Sequence, residues 1–326
     1  MNHPHAADDR RWSPVVIGSL AATWFIWGSM YLAIKWALAS FPPFLQMGSQ
    51  FVVAGSLLMA GARWRGAAWP TRAEWFGSAL LGFMLIGVGY GFTAAAETSV
   101  GSGLVVTFIA VVPAFVALLE WPYGVRPTRF QFVGLVLGFC GILLLVRGQG
   151  FSASPRGLAA IALSCSVWAV GSVWAVRGLP GGAKLAVAPG LMGHASQMLQ
   201  GGLMLLVASW WIGEPVQWPP HALALASWIY LVFAGAMVGY SAYLELLART
   251  TPSLAVSYTY VNPVVALALG VYVDHEVVSG REWLAAAVTI AGVVMLLWQR
   301  PSGRPRAPGH GSDAARAPTS PSPSDR

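Results

Sequence analysis

Apolar residues run along this chain in long blocks separated by short polar segments. Ten blocks of 16–25 residues carry almost no charge: 15–36, 43–62, 75–94, 100–119, 130–146, 157–176, 188–212, 225–244, 254–273 and 283–298. A helix of about 20 mostly apolar residues crosses a hydrocarbon layer roughly 30 Å thick. Each block is expected to be such a helix, because lipid offers no partner to backbone groups left open by any other single-segment conformation. A membrane β-barrel would alternate in polarity over segments of about ten residues, and no stretch of the chain does so.

Composition agrees. Of 326 residues, 56% are hydrophobic and 10% are charged, with a mean hydropathy of +0.62. Soluble chains hold about 45–50% apolar and about 25% charged residues, so the surplus argues against a soluble enzyme, a disordered chain or a nucleic-acid binder. The net charge of +7 lies in short clusters between apolar blocks rather than along one face, as loop charge does on a membrane protein. Cys140 and Cys165 lie far apart inside apolar blocks and imply neither a disulfide framework nor a metal site. The sequence calls for no cofactor and no nucleic-acid partner, only the lipid bilayer and a small solute, and it leaves a homo-oligomer open.

Residues 1–14 are polar, and the first apolar block is too long for a signal-peptide core and lacks a small-residue cleavage site. That block is expected to stay as the first helix. Residues 300–326, rich in Pro, Ser, Gly, Ala and Arg, have little to bury and are expected to be a disordered tail. With an inside N-terminus, 15 Lys and Arg fall on the cytoplasmic side and 4 on the other (Lys35, Arg147, Arg156 and Arg281), which predicts both termini in the cytoplasm of a multi-pass inner- or plasma-membrane protein. Twelve of the sixteen tryptophans sit at or near span ends, as in an interfacial belt. The four interior ones, Trp24, Trp27, Trp168 and Trp174, lie in the first and sixth spans.

That placement points to an internal repeat. Gly28-Ser29 matches Gly171-Ser172 at an offset of 143, and Ser49-Gln50 matches Ser196-Gln197 at 147. Val88-Gly89-Tyr90 matches Val238-Gly239-Tyr240 at 150, Pro113 matches Pro263 at 150, and Gly141 matches Gly292 at 151. Five ordered pairs with a slowly drifting offset predict two five-helix units, 15–146 and 157–299, joined by a linker at 147–156. An odd helix count turns the second copy over, so the expected fold is an all-α membrane protein of ten transmembrane helices in two inverted repeats. Such pseudo-symmetry lets a central site open to either side in turn.

The ten-span plan, the paired halves, the stretch Trp27-Gly28-Ser29-Met30-Tyr31 and the stretch Tyr258-Thr259-Tyr260-Val261-Asn262-Pro263-Val264 resemble the EamA-like branch of the drug/metabolite transporter superfamily over residues 15–299. The resemblance implies export of amino acids, their derivatives, drugs or other small metabolites. Two positions depart from the family pattern. Gly124-Val125 stands where members carry Gly-Glu after the fourth span, while Glu276 is kept after the ninth, and Gln50 stands where many carry an arginine.

No span holds a central carboxylate of the kind used in an ion relay. Lys35, Glu97, Glu120 and Glu245 fall near span ends, where long charged side chains reach the headgroups. The expected solute-binding set is therefore uncharged and partly paired by the repeat: Trp27, Ser29, Gln50, Tyr90, Ser172, Gln197, Tyr240, Tyr258 and Asn262, with His194 as a titratable candidate. Small polar residues also hold membrane helices together, and the same residues are open to that role. Pro113 and Pro263 are expected helix breaks at matching places, a pointer to a transport site. Trp24, Tyr31, Trp168 and Trp174 add aromatic faces for an aromatic or cationic solute.

These features predict a carrier rather than an enzyme, exporting a small neutral or zwitterionic metabolite by alternating access. Ion-coupled uptake would need His194 or Glu97 to titrate. A membrane enzyme on lipid-linked substrates would have to work through Asp274-His275-Glu276, three consecutive residues that point different ways on a helix.

Overall fold

The computed structural model describes residues 13–100, 105, 108–125, 128–146, 154–273 and 279–297. The N-terminal segment, the tail, most of the 147–156 linker and the Asp274-His275-Glu276 run lie outside the described residues. Every regular element among the described residues is helical: α1 Pro14–Ala37, α2 Pro43–Trp64, α3 Arg72–Glu97, α4 Val112–Leu119, α5 Arg129–Val146, α6 Pro155–Arg177, α7 Leu191–Ile212, α8 Ala222–Arg249, α9 Tyr258–Tyr272 and α10 Gly280–Leu297. Five of these, α1, α2, α3, α6 and α8, are long and apolar enough on their own to cross a membrane. In α7 the 22 residues suffice in length, but His194, Gln197, Gln200 and four serines and glycines near them dilute its hydropathy.

Helix starts are written in the sequence. α1 and α6 both open on Ser-Pro, in which the serine hydroxyl accepts an otherwise orphaned N–H, Val16 N to Ser13 at 3.3 Å and Gly157 N to Ser154 at 3.0 Å. α3 opens on a capping box between Thr71 and Glu74. Gly213, at φ +67°, closes α7 in the left-handed conformation.

The expected fourth and ninth spans are each interrupted. Before α4 the ladder tightens, Val111 N donating to Phe108 O and Ala114 N to Val111 O, and Pro113 sits in the first turn of α4 where it owes no hydrogen bond. In the ninth span a single turn, Pro252–Ala255, gives way to α9 through Ser257 N to Leu254 O and Thr259 N to Val256 O. That break precedes Pro263 by about two turns, and Pro263 itself lies within the continuous α9 backbone.

Packing divides the helices into two groups, each drawn from both halves of the sequence. α1 packs on α8 and α9, with α2 against α8; α6 packs on α3 and α4, with α7 against α3. α2 and α7 pack on each other along their lengths, as do α5 and α10. The close approaches run through glycine: a Cβ on Gly55 would meet the Leu199 backbone at 2.7 Å, and one on Gly292 would collide with the Gly138 backbone. The surface is oily, with Phe25, Phe76 and Val207 exposed, while Gln46, Gln50, Thr23 and Ser172 are buried. Trp64, Trp210, Trp211 and Trp218 are exposed at helix ends, where an interfacial belt belongs.

Candidate functional site

Where the two groups face each other, α3 and α8 both widen into π-helix, over Phe83–Tyr90 and Leu231–Tyr240. Each wide stretch ends on Val-Gly-Tyr. A π turn disturbs the backbone ladder and is common at functional sites. In both, a side chain from the other half of the sequence satisfies a carbonyl: Ser164 Oγ donates to Gly89 O at 2.7 Å, and Trp27 Nε1 to Gly235 O at 3.4 Å. Thr93 adds a second donor to Gly89 O at 2.8 Å.

The glycine of each Val-Gly-Tyr lets an indole approach. A Cβ on Gly89 would lie 2.6 Å from Trp168 Cε3, and one on Gly239 2.5 Å from Trp27 Nε1. Trp27 therefore sits at the middle of an aromatic cluster. Its ring centroid is 4.6 Å from Tyr258, 5.2 Å from Tyr243, 5.9 Å from Trp168 and 6.1 Å from Tyr90. Phe51 of α2 wedges between Tyr90 and Tyr240, at 4.8 and 5.7 Å. Inside the cluster is a cavity of about 40 Å³, walled by Trp27, Tyr31, Tyr90, Trp168, Tyr258 and Cys165. It has room for a water or two but not for a metabolite, so the chamber is closed to a solute of that size.

The sequence-predicted residues fall into three groups. Trp27, Tyr90 and Tyr258 line the chamber. Tyr240, Gln197, Ser172 and Asn262 surround it and are engaged: Tyr240 OH donates to Gln197 Oε1 at 3.2 Å, and Ser172 Oγ lies 2.5 Å from Tyr243 OH. Asn262 ties α9 to α1 when its amide is oriented so that the nitrogen, rather than the oxygen, faces Trp24 O at 2.9 Å and Tyr258 O at 3.0 Å. Ser29, His194 and Gln50 stand apart from the lining. Ser29 Oγ lies 2.6 Å from Tyr230 OH, and His194 is buried in the first turn of α7.

Several buried polar atoms here have no protein partner. They include Tyr90 OH, His194 Nδ1 and both amide atoms of Gln46 and Gln50, which are 0% exposed one turn apart on α2. Buried polar groups are normally bonded, so these atoms carry a desolvation cost that nothing in the protein offsets. Glu120 also departs from expectation. Instead of reaching headgroups it is 3% exposed and accepts from Arg177 Nη2 at 2.6 Å, because a cation at the end of α6 faces it. Glu245 pairs within its own helix with Arg249, at 2.6 Å. Val125 is exposed beyond α4.

Tyr243, Thr93, Ser164 and Cys165 were missed from the predicted set. Tyr243 follows Tyr240 by three residues, one face of a helix, and Thr93 is its counterpart at the offset of 150, so the repeat already held that signal.

Comparison with known proteins identifies the family. The model of the EamA-like transporter family matches the chain twice, over residues 15–147 and 155–298. The protein named "Uncharacterized inner membrane transporter YedA" of Escherichia coli is 34% identical over 282 residues, covering 86% of this chain and 90% of that one. Protein PecM of Dickeya dadantii is 25% identical, covering 83% and 88%. A crystal structure at 20% identity superposes with a TM-score of 0.65 over 87% of this chain and 95% of its own, which speaks for the fold alone. On the family match and the first of these relatives, the chain is a multi-pass membrane protein and belongs to the EamA-like transporter family.

Proposed function

We propose that the chain is an inner-membrane carrier that moves a small neutral or zwitterionic organic solute, in the direction of export, by alternating access. The observation that carries this reading is the closed aromatic chamber between two helix groups, with the unbonded Tyr90 hydroxyl at its wall. A carrier needs a site that both faces can reach in turn, built where two bodies meet.

Ten membrane helices in two inverted five-helix repeats supply those bodies. Three observations support the repeat. The family model matches once per half. The π-helical stretches end on equivalent Val-Gly-Tyr motifs. The packings recur in exchanged form, α1 on α8 and α9 against α6 on α3 and α4. The α2–α7 and α5–α10 pairs then lie on the two-fold axis and serve as the pivot. The Lys and Arg bias supports cytoplasmic termini. The rings around the chamber offer flat apolar faces, suited to a solute with an aromatic or aliphatic body.

Counterflow in proteoliposomes tests the reading. Vesicles preloaded with one unlabelled solute from a panel of amino acids, their derivatives and aromatic amines should concentrate traces of its labelled form, without an ion gradient. Folded protein that exchanges no member of the panel better than empty vesicles contradicts it.

A further inference from the structure

Polar residues that the repeat offsets make equivalent are not bonded alike. Tyr240 OH donates to Gln197 Oε1 at 3.2 Å, and Ser172 Oγ lies 2.5 Å from Tyr243 OH. Both bonds join one helix group to the other, α8 to α7 and α8 to α6. By the offsets of 143 to 150, the equivalents of Tyr240, Gln197, Ser172 and Tyr243 are Tyr90, Gln50, Ser29 and Thr93. Among the described residues, none of these four bonds across the groups. Ser29 Oγ lies 2.6 Å from Tyr230 OH of α8, and Thr93 Oγ1 lies 2.8 Å from Ser164 Oγ of α6, each within its own group. Tyr90 OH and both amide atoms of Gln50 are buried with no protein partner at all.

The bonded and unbonded sets belong to opposite ends of the bundle. α2 and α7 run antiparallel, since Gly55 meets Leu199 while Gly48 meets Leu206. Gln197 is in the second turn of α7, at the end that holds the α8 C-terminus. Gln50 is in the second turn of α2, at the end where Glu214 binds Phe44 N and Leu45 N. The backbone that carries Gln50 is already beside Tyr90: Phe51, the next residue, has its ring centroid 4.8 Å from that of Tyr90. Tyr90 is on α3 and Gln50 on α2, so a bond between them would again join the two groups.

We propose that Gln50 is the partner of Tyr90 in the opposite conformation of the carrier, and that the Tyr240–Gln197 bond is exchanged for a Tyr90–Gln50 bond as one end of the chamber opens and the other closes. The proposal rests on the carrier reading above and on its inverted repeat. A buried hydroxyl and a buried amide left unpaired both carry a desolvation cost, which a bond between them removes. Each state then keeps one tyrosine–glutamine bond between the groups and leaves the equivalent pair open, so the two states stay close in energy. In the state seen here, the end that holds the α8 C-terminus is the one fastened. Solute on the Tyr90 hydroxyl competes with Gln50 for it, which couples occupancy of the chamber to the exchange.

Cys165 lines the chamber at 2% exposure and reports which end is open. In a Cys140→Ser background it is the remaining thiol, and a membrane-impermeant maleimide is applied to each face of oriented vesicles in turn. Tyr240→Phe removes the bond present here. It should speed labelling from the face that holds the α8 C-terminus about fivefold, and slow it from the other. Tyr90→Phe and Gln50→Leu remove only the exchanged bond, and each should slow labelling from the first face by about the same factor. Because those two changes break one bond, their combination should do no more than either alone. Tyr90→Phe combined with Tyr240→Phe should restore the wild-type ratio between the faces. Shifts of the same sign in the two tyrosine variants, as a loosened fold would give, overturn the proposal, and so do additive effects of Tyr90→Phe and Gln50→Leu. Labelling needs no transported solute, so those results in protein with active counterflow remove only the exchange. Opposite shifts in protein that exchanges no solute remove the carrier reading instead.

Discussion

Trp27 of α1 and Trp168 of α6 meet edge to face across the chamber, their ring centroids 5.9 Å apart and their planes at 76°. Each also lies against a glycine in a π-helical stretch from the other half of the sequence, Trp27 on Gly239 and Trp168 on Gly89. One indole is thus placed by each half, and the chamber is made where those placements meet.

Gly89→Ala and Gly239→Ala should therefore push the indoles out of register. The added methyl would sit 2.6 Å from Trp168 and 2.5 Å from Trp27, closer than van der Waals contact. Overpacking of this kind costs about 1–3 kcal/mol. Both variants should reach the membrane at normal yield, melt several degrees lower in detergent, and lose most counterflow. Full counterflow in both would mean that the indoles need not hold these positions.

The two repeat-related tyrosines should respond differently. Tyr240→Phe removes a bond to Gln197 and leaves a buried acceptor, a loss of about 1 kcal/mol. Tyr90 OH has no protein partner, so Tyr90→Phe should not lower the melting temperature. Both should slow counterflow severalfold, because the proposed carrier uses the Tyr90 hydroxyl to bind solute. Unchanged flux in Tyr90→Phe would assign that hydroxyl no role in transport.

Gln46 and Gln50 should show the opposite sign in stability. Their amides are buried without partners in the closed state, and an apolar side chain of similar shape removes that penalty. Gln46→Leu and Gln50→Leu should each raise stability by about 1 kcal/mol in thermal melts while lowering counterflow. A destabilised leucine variant would show that the amides are satisfied in the closed protein.

Glu214, between α7 and α8, caps α2 from outside its own helix. Its Oε1 accepts from Phe44 N at 3.1 Å and its Oε2 from Leu45 N at 2.9 Å. A carboxylate there satisfies two orphan donors and faces the positive end of the helix dipole. Glu214→Ala should cost about 1–2 kcal/mol, and Glu214→Gln about half of that, measured as melting midpoints in detergent.

Much of this was legible in the chain. Block length marked the helices, and Ser-Pro at 13–14 and 154–155 marked where α1 and α6 start. The repeat offsets pointed to Tyr90 and Tyr240, and the placement of tryptophans inside the first span pointed to Trp27. Other features follow from three-dimensional packing that a linear pattern does not carry. Hydropathy cannot show that α3 and α8 widen to π-helix, because Phe83–Tyr90 is apolar all round. Glu120 reads as a span-end charge until folding sets Arg177, 57 residues later, beside it. Ser29 and His194 have the right chemistry, but their helix faces turn them away from the chamber.

The central claim is that one chain opens its chamber to each face of the membrane in turn. Because α3 and α8 belong to opposite groups, distances between them at the two membrane ends test this directly. In protein freed of native cysteines, spin labels on the exposed pair Thr98 and Leu223 would report one end, and those on Ala73 and Ala248 the other. Pulsed electron paramagnetic resonance in lipid nanodiscs should give two distances for each pair. Conditions or ligands that lengthen one pair should shorten the other. A single fixed distance at both ends, or distances that lengthen together, would contradict alternating access.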